Sequence, residues 1–299
     1  MNAPAFPAAL DAWIASFGDP LNGGWSRVEW ARTPQQGLLA RTLGLTLGSV
    51  FQPIFDHSGR LYGYEALLRA STRGRAVAPA RAFAIATLQG ELVNFDRQCR
   101  LMHLVNYLHA GGATTPLFLN VHPAHLLEIN ERHGHFFRHI REQFGAAGLP
   151  IVLEITEENI SPQQLGHIRN AVRNYRQQGF LIAIDDFGAG SANIDRIWQL
   201  EPDFVKLDRQ FIVRAEHDPR ARRVLGKLIG LLHELAGQVV VEGIETALQQ
   251  QLALDGGAHL LQGYWLGRPQ GTLTATRPAT AQHTTQNNTT TLSQSGANA

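Results

Sequence analysis

Five apolar, extended segments of this 299-residue chain each end on a carboxylate or an amide. They are Leu117–Asn120, Ile151–Glu154, Leu181–Asp186, Phe204–Asp208 and Gln238–Glu242. A buried strand excludes unpaired charge along its length, because burying a lone carboxylate costs several kcal/mol. At the end of a strand, however, an acid can point into a shared opening. Acids at the ends of successive strands therefore favour a parallel α/β barrel with a metal site at its carboxyl-terminal mouth.

Strands and helices alternate from about Leu45 to Pro269, which predicts a TIM (β/α)8 barrel. The first two strands are joined only by Asp56–Arg60, so we expect an antiparallel hairpin there and hence a modified barrel with an antiparallel first strand. The predicted strands are Ser49–Phe55, Leu61–Leu68, Leu117–Val121, Ile151–Thr156, Leu181–Asp185, Phe204–Leu207, Val239–Glu242 and Leu261–Tyr264. The predicted helical stretches are Ala80–Leu108, Ser161–Gln178, Pro219–Ala236 and Thr246–Leu254.

Three regions follow from this pattern. Residues 1–44 are predicted to form an N-terminal helical extension, with helices over Pro7–Phe17 and Pro34–Leu43. Residues 45–270 are predicted to form the barrel domain. Residues 271–299 are rich in Thr, Ala, Gln, Asn and Ser, and we expect this tail to be disordered because it has little to bury.

Charge and cysteine content narrow the class of protein. The formal net charge is +1, so no basic surface indicates binding to a nucleic-acid polymer. The single cysteine, Cys99, suits a reducing compartment. The first residues lack the basic region of a signal peptide, and no apolar run is long enough to span a bilayer. These features predict a soluble, cytoplasmic protein without a membrane partner.

The barrel mouth would hold five carboxylates and one amide, and these are Glu65, Asn120, Glu154, Asp185, Asp186 and Glu242. So many negative charges need cations nearby, since they repel one another even at an effective dielectric of about 20. All-oxygen ligation selects Mg²⁺, Mn²⁺ or Ca²⁺ over zinc. The adjacent pair Asp185–Asp186 suits two ions that activate water for phosphoryl displacement. A single acid at a strand end more often hydrogen-bonds to a loop or caps a helix than binds a metal ion. The recurrence of such acids at successive strand ends favours metal ligation here.

Lysine is rare in this chain, which has only Lys206 and Lys227 against many arginines. Lys206 lies inside the apolar strand FVKLD, which indicates that an ammonium is needed there, although codon bias and chance are equally compatible with the composition. A lysine ammonium is a compact point charge that fits beside a metal-bound water.

The ordered motifs resemble the EAL-domain phosphodiesterases that hydrolyse cyclic di-GMP in bacterial second-messenger signalling. The motif of that name stands here as Glu65-Ala66-Leu67. The resemblance extends over about three quarters of the chain, through FQPIF at 51–55, LNVHP at 119–123, LEITEE at 153–158, DDFGAG at 185–190, DFVKLD at 203–208, VEGIET at 241–246 and QGYWLGRP at 262–269. The tripeptide alone carries no specificity, whereas the ordered set is specific.

The resemblance implies a role for each matching residue. Glu65, Asn120, Glu154 and Asp185 would hold a first metal ion, and Asp185 would bridge to a second ion held by Asp186 and Glu242. Lys206 would position the attacking water with support from Gln262, and Glu242 is also a candidate base. The implied residues near the substrate are Gln52, Leu67, Arg69, which would face a phosphate, and Asp208, at the floor near Lys206. Glu157 would brace the loop after Asp186.

The resemblance also implies an activity: two ions, Mg²⁺ or Mn²⁺, activate a water that converts cyclic di-GMP to linear pGpG in a homodimer. The family usually reads DDFGTGYSS after the strand, whereas this chain reads DDFGAGSAN at 185–193, so this loop is where activity would change. A catalytically weak or inactive receptor that relays cyclic di-GMP to a regulatory protein partner is the alternative, and it is disfavoured by the complete ligand set. A divalent-metal barrel enzyme acting on a small carbonyl compound is a third, remote class.

Overall fold

The barrel is closed by eight strands in the computed structural model, which describes residues 28–33, 37–127, 146, 148–156, 163–190 and 194–273. The strands are β1 (Glu29–Thr33), β2 (Gly37–Thr42), β3 (Leu45–Asp56), β4 (Leu61–Thr72), β5 (Arg75–Val77), β6 (Leu117–Val121), β7 (Ile151–Thr156), β8 (Leu181–Phe187), β9 (Phe204–Leu207), β10 (Gln238–Val241) and β11 (Leu260–Leu261). The closed circuit runs β3-β11-β10-β9-β8-β7-β6-β4 and back to β3. The predicted α/β barrel is confirmed.

Helices cover the outside of this barrel. They are α1 (Pro79–Leu88), α2 (Leu92–His109), α3 (Pro123–Leu127), α4 (Leu165–Gln177), α5 (Ile194–Leu200), α6 (Arg209–His217), α7 (Pro219–Leu235) and α8 (Ala247–Asp255). None of the helices in the described part of the chain has the length and apolar character needed to cross a bilayer.

Within the barrel, strand β3 is antiparallel to both β4 and β11, and its pairing with β4 is the hairpin that the short connection predicted. Asp56 organises the β3–β4 turn, since its Oδ1 accepts hydrogen bonds from the backbone N–H groups of Ser58 (2.9 Å) and Arg60 (2.9 Å). Gly59 supplies the positive φ of 76° that the turn requires. Because β3 runs in reverse, its first residue lies at the mouth and its last residue lies at the opposite end.

The helix predicted over Pro34–Leu43 is wrong, because residues 37–42 form β2, which pairs with β1 and with the start of β3. Tertiary contacts account for the difference. Asn106 of α2 accepts a hydrogen bond from Leu38 N (2.6 Å) and donates one to Leu38 O (2.9 Å). An added Cβ at Gly37, where φ is 69°, would lie 2.4 Å from Asn106 Oδ1, so only glycine fits. These contacts hold the segment extended whatever its local helix propensity.

The predicted stretch Ala80–Leu108 is two helices rather than one. Gly90 has a φ of 70° and separates α1 from α2. The predicted last strand is shorter than expected, because the chain turns at Gly263. The backbone there packs so closely on Ile244 that an added Cβ would lie 2.0 Å from the Ile244 backbone oxygen. Residues 1–27 and 274–299, including the predicted helix Pro7–Phe17 and most of the tail, lie outside the described residues. The three-region division stays a prediction.

Apolar side chains fill the interior of the barrel in one layer. That layer consists of Ile54, Phe118, Val152, Ala183, Phe204, Val240 and Leu260, one from each of seven barrel strands. A larger apolar cluster lies between the strands and the outer helices. This layer, called the apolar floor below, fills the barrel interior with side chains, as in other α/β barrels. Any site must therefore lie above the layer, at the strand ends.

Candidate active site

A ring of polar side chains lies directly above the apolar floor. Side chains alternate between the two faces of a strand, so residues two positions beyond the floor residues also point inward. On the parallel strands these residues are Asn120, Glu154, Asp185, Lys206, Glu242 and Gln262. On the reversed strand β3 the equivalent residue is Gln52, which pairs in register with Glu65 of β4. The strand period thus gathers the predicted ligands at one mouth.

Lys206 lies at the centre of this ring and contacts four carboxylates. Its Nζ is 2.6 Å from Glu154 Oε1, 2.7 Å from Glu242 Oε1, 2.9 Å from Asp185 Oδ1 and 3.5 Å from Glu65 Oε2. The lysine side chain is 1% exposed. A buried ammonium is stable only with such partners, so the strand lysine is explained by the acids around it.

Two amides bind the same carboxylates from the side. Asn120 Nδ2 donates to Glu65 Oε1 and to Glu154 Oε2, both at 3.2 Å. Gln262 Nε2 donates to Glu65 Oε2 at 2.7 Å. Because the amino group of Asn120 is directed at the acids, its side-chain carbonyl oxygen is left as a candidate metal ligand. Glu65, Asn120, Glu154 and Gln262 are therefore brought together as the sequence predicted.

Asp185 and Asp186 are neighbours in sequence, yet both contribute to the mouth. The pairing of β8 with β9 shifts register between Ile184 and Phe187, and Asp186 has a φ of 55°. Aspartate tolerates this left-handed conformation better than most residues. One carboxylate oxygen each of Asp185, Asp186 and Glu242 lies within 4.8 Å of the other two. The irregularity brings the Asp186 carboxylate, which would otherwise face outward, beside Asp185 and Glu242, where it is a candidate metal ligand.

The crowding of acids shifts their protonation. Burial raises the pKa of Glu154 well above its usual value, against the opposing charge of Lys206. Burial, and then the charge of Asp185, raises the pKa of Asp186 to about 6. Burial raises the pKa of Glu242 to about 8, with Lys206 opposing and Asp185 and Glu65 adding to the shift. Burial alone would lower the pKa of Lys206, but the surrounding carboxylates raise it well above its usual value.

The donor set fits hard divalent cations. Five carboxylates face one ammonium among the described residues that contact them. Glu154 Oε1 and Asp185 Oδ1 are buried, and Lys206 Nζ is the cation that contacts them among the described residues. Carboxylate and amide oxygens are the ligands of Mg²⁺, Mn²⁺ and Ca²⁺. Divalent cations bound at this mouth would compensate the negative charge of the carboxylates that a single ammonium leaves in excess.

A cavity of about 440 Å³ opens from the ring toward solvent. Leu67 and the exposed Arg69 line it. Gln52, which pairs with Glu65 in the β3–β4 ladder, donates from Nε2 to Gly267 O at 3.3 Å. Asp208 accepts a hydrogen bond from Gln210 N (2.9 Å) and caps α6, and its charge contributes to the raised pKa of Asp186. Glu157 lies outside the described residues.

Comparison with known proteins decides the family. The sequence model of the EAL domain family matches residues 39–269. This chain belongs to the EAL domain family. The EAL domain of this chain is 31% identical over 229 residues to the uncharacterized EAL-domain containing protein YkuI of Bacillus subtilis, covering 74% of this chain and 54% of YkuI. It is 31% identical over 250 residues to the probable cyclic di-GMP phosphodiesterase PdeA of Escherichia coli, covering 80% of this chain and 33% of PdeA.

The chain therefore spans between about a third and about half of the length of these curated relatives. Among solved structures, the EAL domain is similar to Bacillus subtilis YkuI in complex with its substrate cyclic di-GMP and calcium. The similarity has a TM-score of 0.63 at 27% identity and covers 76% of this chain and 57% of that chain. The ion in that structure is one of the hard cations that the ligand set of this EAL domain suits.

One wall of the cavity in this EAL domain was not found by sequence reasoning. Helix α2 contributes Asp96, Arg100 and His103, all of them buried. Asp96 Oδ2 accepts from Arg100 Nη2 at 2.8 Å, and Asp96 Oδ1 accepts from His122 N at 3.1 Å. The only signal in the sequence was the i, i+4 spacing of an acid and an arginine, which usually marks an exposed helix face. Here the pair lies against the turn that follows Asn120.

Proposed function

We propose that this EAL domain hydrolyses cyclic di-GMP to linear pGpG with two Mg²⁺ or Mn²⁺ ions. The observation that supports this function most strongly is the complete ring of five carboxylates and Asn120 around Lys206. Relatives named as cyclic di-GMP phosphodiesterases, and a structural neighbour that contains the dinucleotide, indicate the substrate.

Each ligand residue has a proposed place. Glu65, Asn120, Glu154 and Asp185 would hold one ion, and Asp186 and Glu242 would hold the second with Asp185 shared between them. When bound, such ions offset the charge of a phosphodiester and lower the pKa of water, so that a nucleophile forms near neutral pH. Cyclic di-GMP is a dianion, so it could not approach five carboxylates without added positive charge.

The remaining residues act on the substrate and on the attacking water. Lys206 directs its ammonium to the centre of the mouth, where it orients the water and stabilises negative charge developing on the phosphate. Glu242, 2.7 Å from Lys206 Nζ, can accept the proton of that water through a carboxylate oxygen. Gln262 holds Glu65 in place. Arg69 binds a phosphate oxygen from the exposed rim, while Leu67 and Gln52 contact the nucleotide.

The cellular setting belongs to the same proposal. A domain that degrades a bacterial second messenger would work in the cytoplasm, and the family resemblance favours a homodimer. Asp208 would support the site from below, and Glu157 would brace the loop after Asp186.

The test is turnover by the purified chain. Cyclic di-GMP is incubated with protein and Mg²⁺ or Mn²⁺, and the products are separated by chromatography. We expect pGpG from the wild type and no product from Glu65→Gln, which loses a charged ligand but keeps the shape of the side chain. Glu29→Gln is the matched control, because Glu29 is exposed on β1. Binding of the dinucleotide without turnover with either metal would overturn hydrolysis and favour a receptor.

A further inference from the structure

The cavity above the acidic ring continues sideways at a gap beside strand β4. This strand pairs with β6 as far as Ala66 and with β5 only from Ala70 onward. Between these two points, no strand of the described chain pairs with residues 67–69 on that edge. The part of the cavity at this gap, called the side cleft below, is lined by Leu68, Arg69, Pro79, Phe83, Cys99 and His103. The candidate metal ligands line the same cavity, so a substrate bound at the ring can extend into the side cleft.

The side cleft is largely apolar, which suits a planar nucleobase. Small-molecule pockets are typically lined by apolar side chains, with a few polar groups that fix the orientation of the ligand. Two polar side chains line the side cleft. Arg69 is proposed above to bind a phosphate, and His103 is 5% exposed and has no role in that proposal. His103 is therefore the group that remains to recognise a polar atom of a base.

A chain of hydrogen bonds determines which nitrogen of His103 carries the hydrogen. Asn106 binds both backbone groups of Leu38, which fixes the orientation of its amide, and its Nδ2 also donates to Ser49 Oγ at 3.0 Å. Ser49 Oγ lies 2.8 Å from His103 Nδ1. Because this oxygen already accepts from Asn106, its own hydrogen is left to donate to Nδ1. A neutral imidazole that accepts at Nδ1 carries its hydrogen on Nε2.

The surroundings of His103 keep this Nε2–H group available. Burial, and then the charge of Arg69, lowers the pKa of the ring to about 3, so it is neutral near pH 7. Nε2 makes no hydrogen bond to any described residue, and it is not one of the fully enclosed polar atoms. Since His103 lines the cavity, this nitrogen is a donor for a bound molecule.

His103 also lies at a suitable distance from the acidic ring. It contacts Ser49, which pairs with Leu68 in the β3–β4 ladder. Leu68 follows Glu65 by three residues, which corresponds to about 10 Å along the strand. A nucleotide whose phosphate is bound at the ring can therefore place its base beside His103.

We propose that His103 is a specificity-determining residue whose Nε2–H donates a hydrogen bond to O6 of a guanine base in the side cleft. This inference rests on the proposed function, because it takes cyclic di-GMP as the substrate. Guanine presents an acceptor at O6, whereas adenine presents the N6 amino donor at the same position. Two donors would then face each other and remain unpaired. Sites that hydrogen-bond to one substrate group discriminate strongly against analogues that lack it.

The test compares the binding of three cyclic dinucleotides to the full-length chain. Calorimetry is done with Ca²⁺, the ion present with cyclic di-GMP in the YkuI structure, so that affinity is measured separately from turnover. Cyclic di-IMP keeps O6 but lacks the 2-amino group of guanine, and cyclic di-AMP lacks O6. We expect the wild type to bind cyclic di-GMP at least about tenfold more tightly than cyclic di-AMP.

His103→Leu should remove this preference. We expect affinity for cyclic di-GMP and for cyclic di-IMP to fall by about tenfold each, with affinity for cyclic di-AMP unchanged. His167→Leu is the matched control, because His167 is exposed on α4, and it should bind all three as the wild type does. If His103→Leu fails to fold by circular dichroism, Ser49→Ala replaces it. That variant removes the hydroxyl that fixes the tautomer, so the preference for guanine should fall by about threefold or more.

The outcomes separate this inference from the proposed hydrolysis. An unchanged preference for guanine in a folded His103→Leu or Ser49→Ala protein would overturn the role of His103, whether or not the wild type hydrolyses cyclic di-GMP. A preference that depends on His103 would support that role even in a chain without turnover. A wild type that binds none of the three dinucleotides would overturn both.

Discussion

Lys206 Nζ lies 2.6 Å from Glu154 Oε1, and both side chains are almost completely buried. The ammonium holds the acidic mouth together wherever no other cation offsets the carboxylates. A buried pair of this kind contributes little net stability when intact, but losing one partner leaves an uncompensated buried charge. The same lysine therefore has a structural role as well as its proposed catalytic one.

Replacing Lys206 with Met should separate these two roles. In metal-free protein near pH 8, we expect the free energy of unfolding to fall by about 3 kcal/mol, because the carboxylates lose their counterion. Mg²⁺ should restore much of that stability while turnover stays absent. Urea titration with and without Mg²⁺ measures the effect. Lys227→Met is the matched control, since Lys227 is the other lysine of the chain and is exposed on α7; an equal loss in both variants would contradict this account.

Asp186→Asn should weaken metal binding without disturbing the fold. Asparagine tolerates the φ of 55° as aspartate does, so the backbone keeps its shape while one ligand charge disappears. We expect Mn²⁺ affinity by calorimetry to fall by about tenfold or more, with an unfolding midpoint close to that of the wild type. The exposed Asp195→Asn is the control. Unchanged Mn²⁺ affinity in Asp186→Asn would remove this residue from the ligand set.

Stability should decrease below about pH 6.5 because of His103. Burial, and then the charge of Arg69, lowers the pKa of His103 to about 3. The unfolded chain therefore binds a proton that the folded protein excludes between about pH 6.5 and pH 3, and stability rises with pH across that window. His103 contributes about 3 kcal/mol to the difference between pH 7 and pH 4.

The measurement for His103 compares denaturation curves at several pH values for the wild type and His103→Gln. Other groups titrate equally in both proteins, so the difference between the two slopes isolates this ring. We expect the variant to lose less stability on acidification. Parallel slopes would show that His103 is not held neutral by its surroundings.

Asn106→Ala should destabilise the contact between α2 and β2. The amide side chain binds both the N–H and the C=O of Leu38 and also donates to Ser49 Oγ at 3.0 Å. Leaving buried backbone groups unpaired costs about 1–3 kcal/mol for each group. Chemical denaturation should show a loss of this order. Asn94→Ala is the comparison, because Asn94 binds only the side chain of Glu91 among the contacts described. A loss no larger than that of Asn94→Ala would contradict the role of Asn106.

The acidic mouth could be predicted because of one strong constraint on strands. An unpaired acid is excluded from the length of a buried strand, so Glu154, Asp185 and Glu242 indicate where each strand approaches its mouth end; Glu154 and Asp185 lie two residues before the ends of β7 and β8, and Glu242 directly follows β10. The antiparallel β3 followed from the short turn at Asp56–Arg60. Lys206 was conspicuous because it interrupts an apolar strand. Local sequence carried all of this information.

The features that were missed depend on contacts between distant residues. Strand β2 exists because β3 extends beyond the barrel and because Asn106, 68 residues away, binds Leu38. The turning of Asp186 into the mouth depends on a register shift against β9 that no spacing indicates. His233 and His259, whose ring centroids lie 3.8 Å apart, become neighbours only when the end of α7 meets the residue before β11. Such relationships require the assembled fold.

Metal-dependent turnover of cyclic di-GMP by the purified wild-type chain tests the central claim most directly. With excess Mg²⁺ or Mn²⁺, we predict that all of the added dinucleotide is converted to pGpG, and that chelation of the metal stops the reaction at once. Cyclic di-GMP that binds to the protein but is recovered intact with both metals would contradict the account.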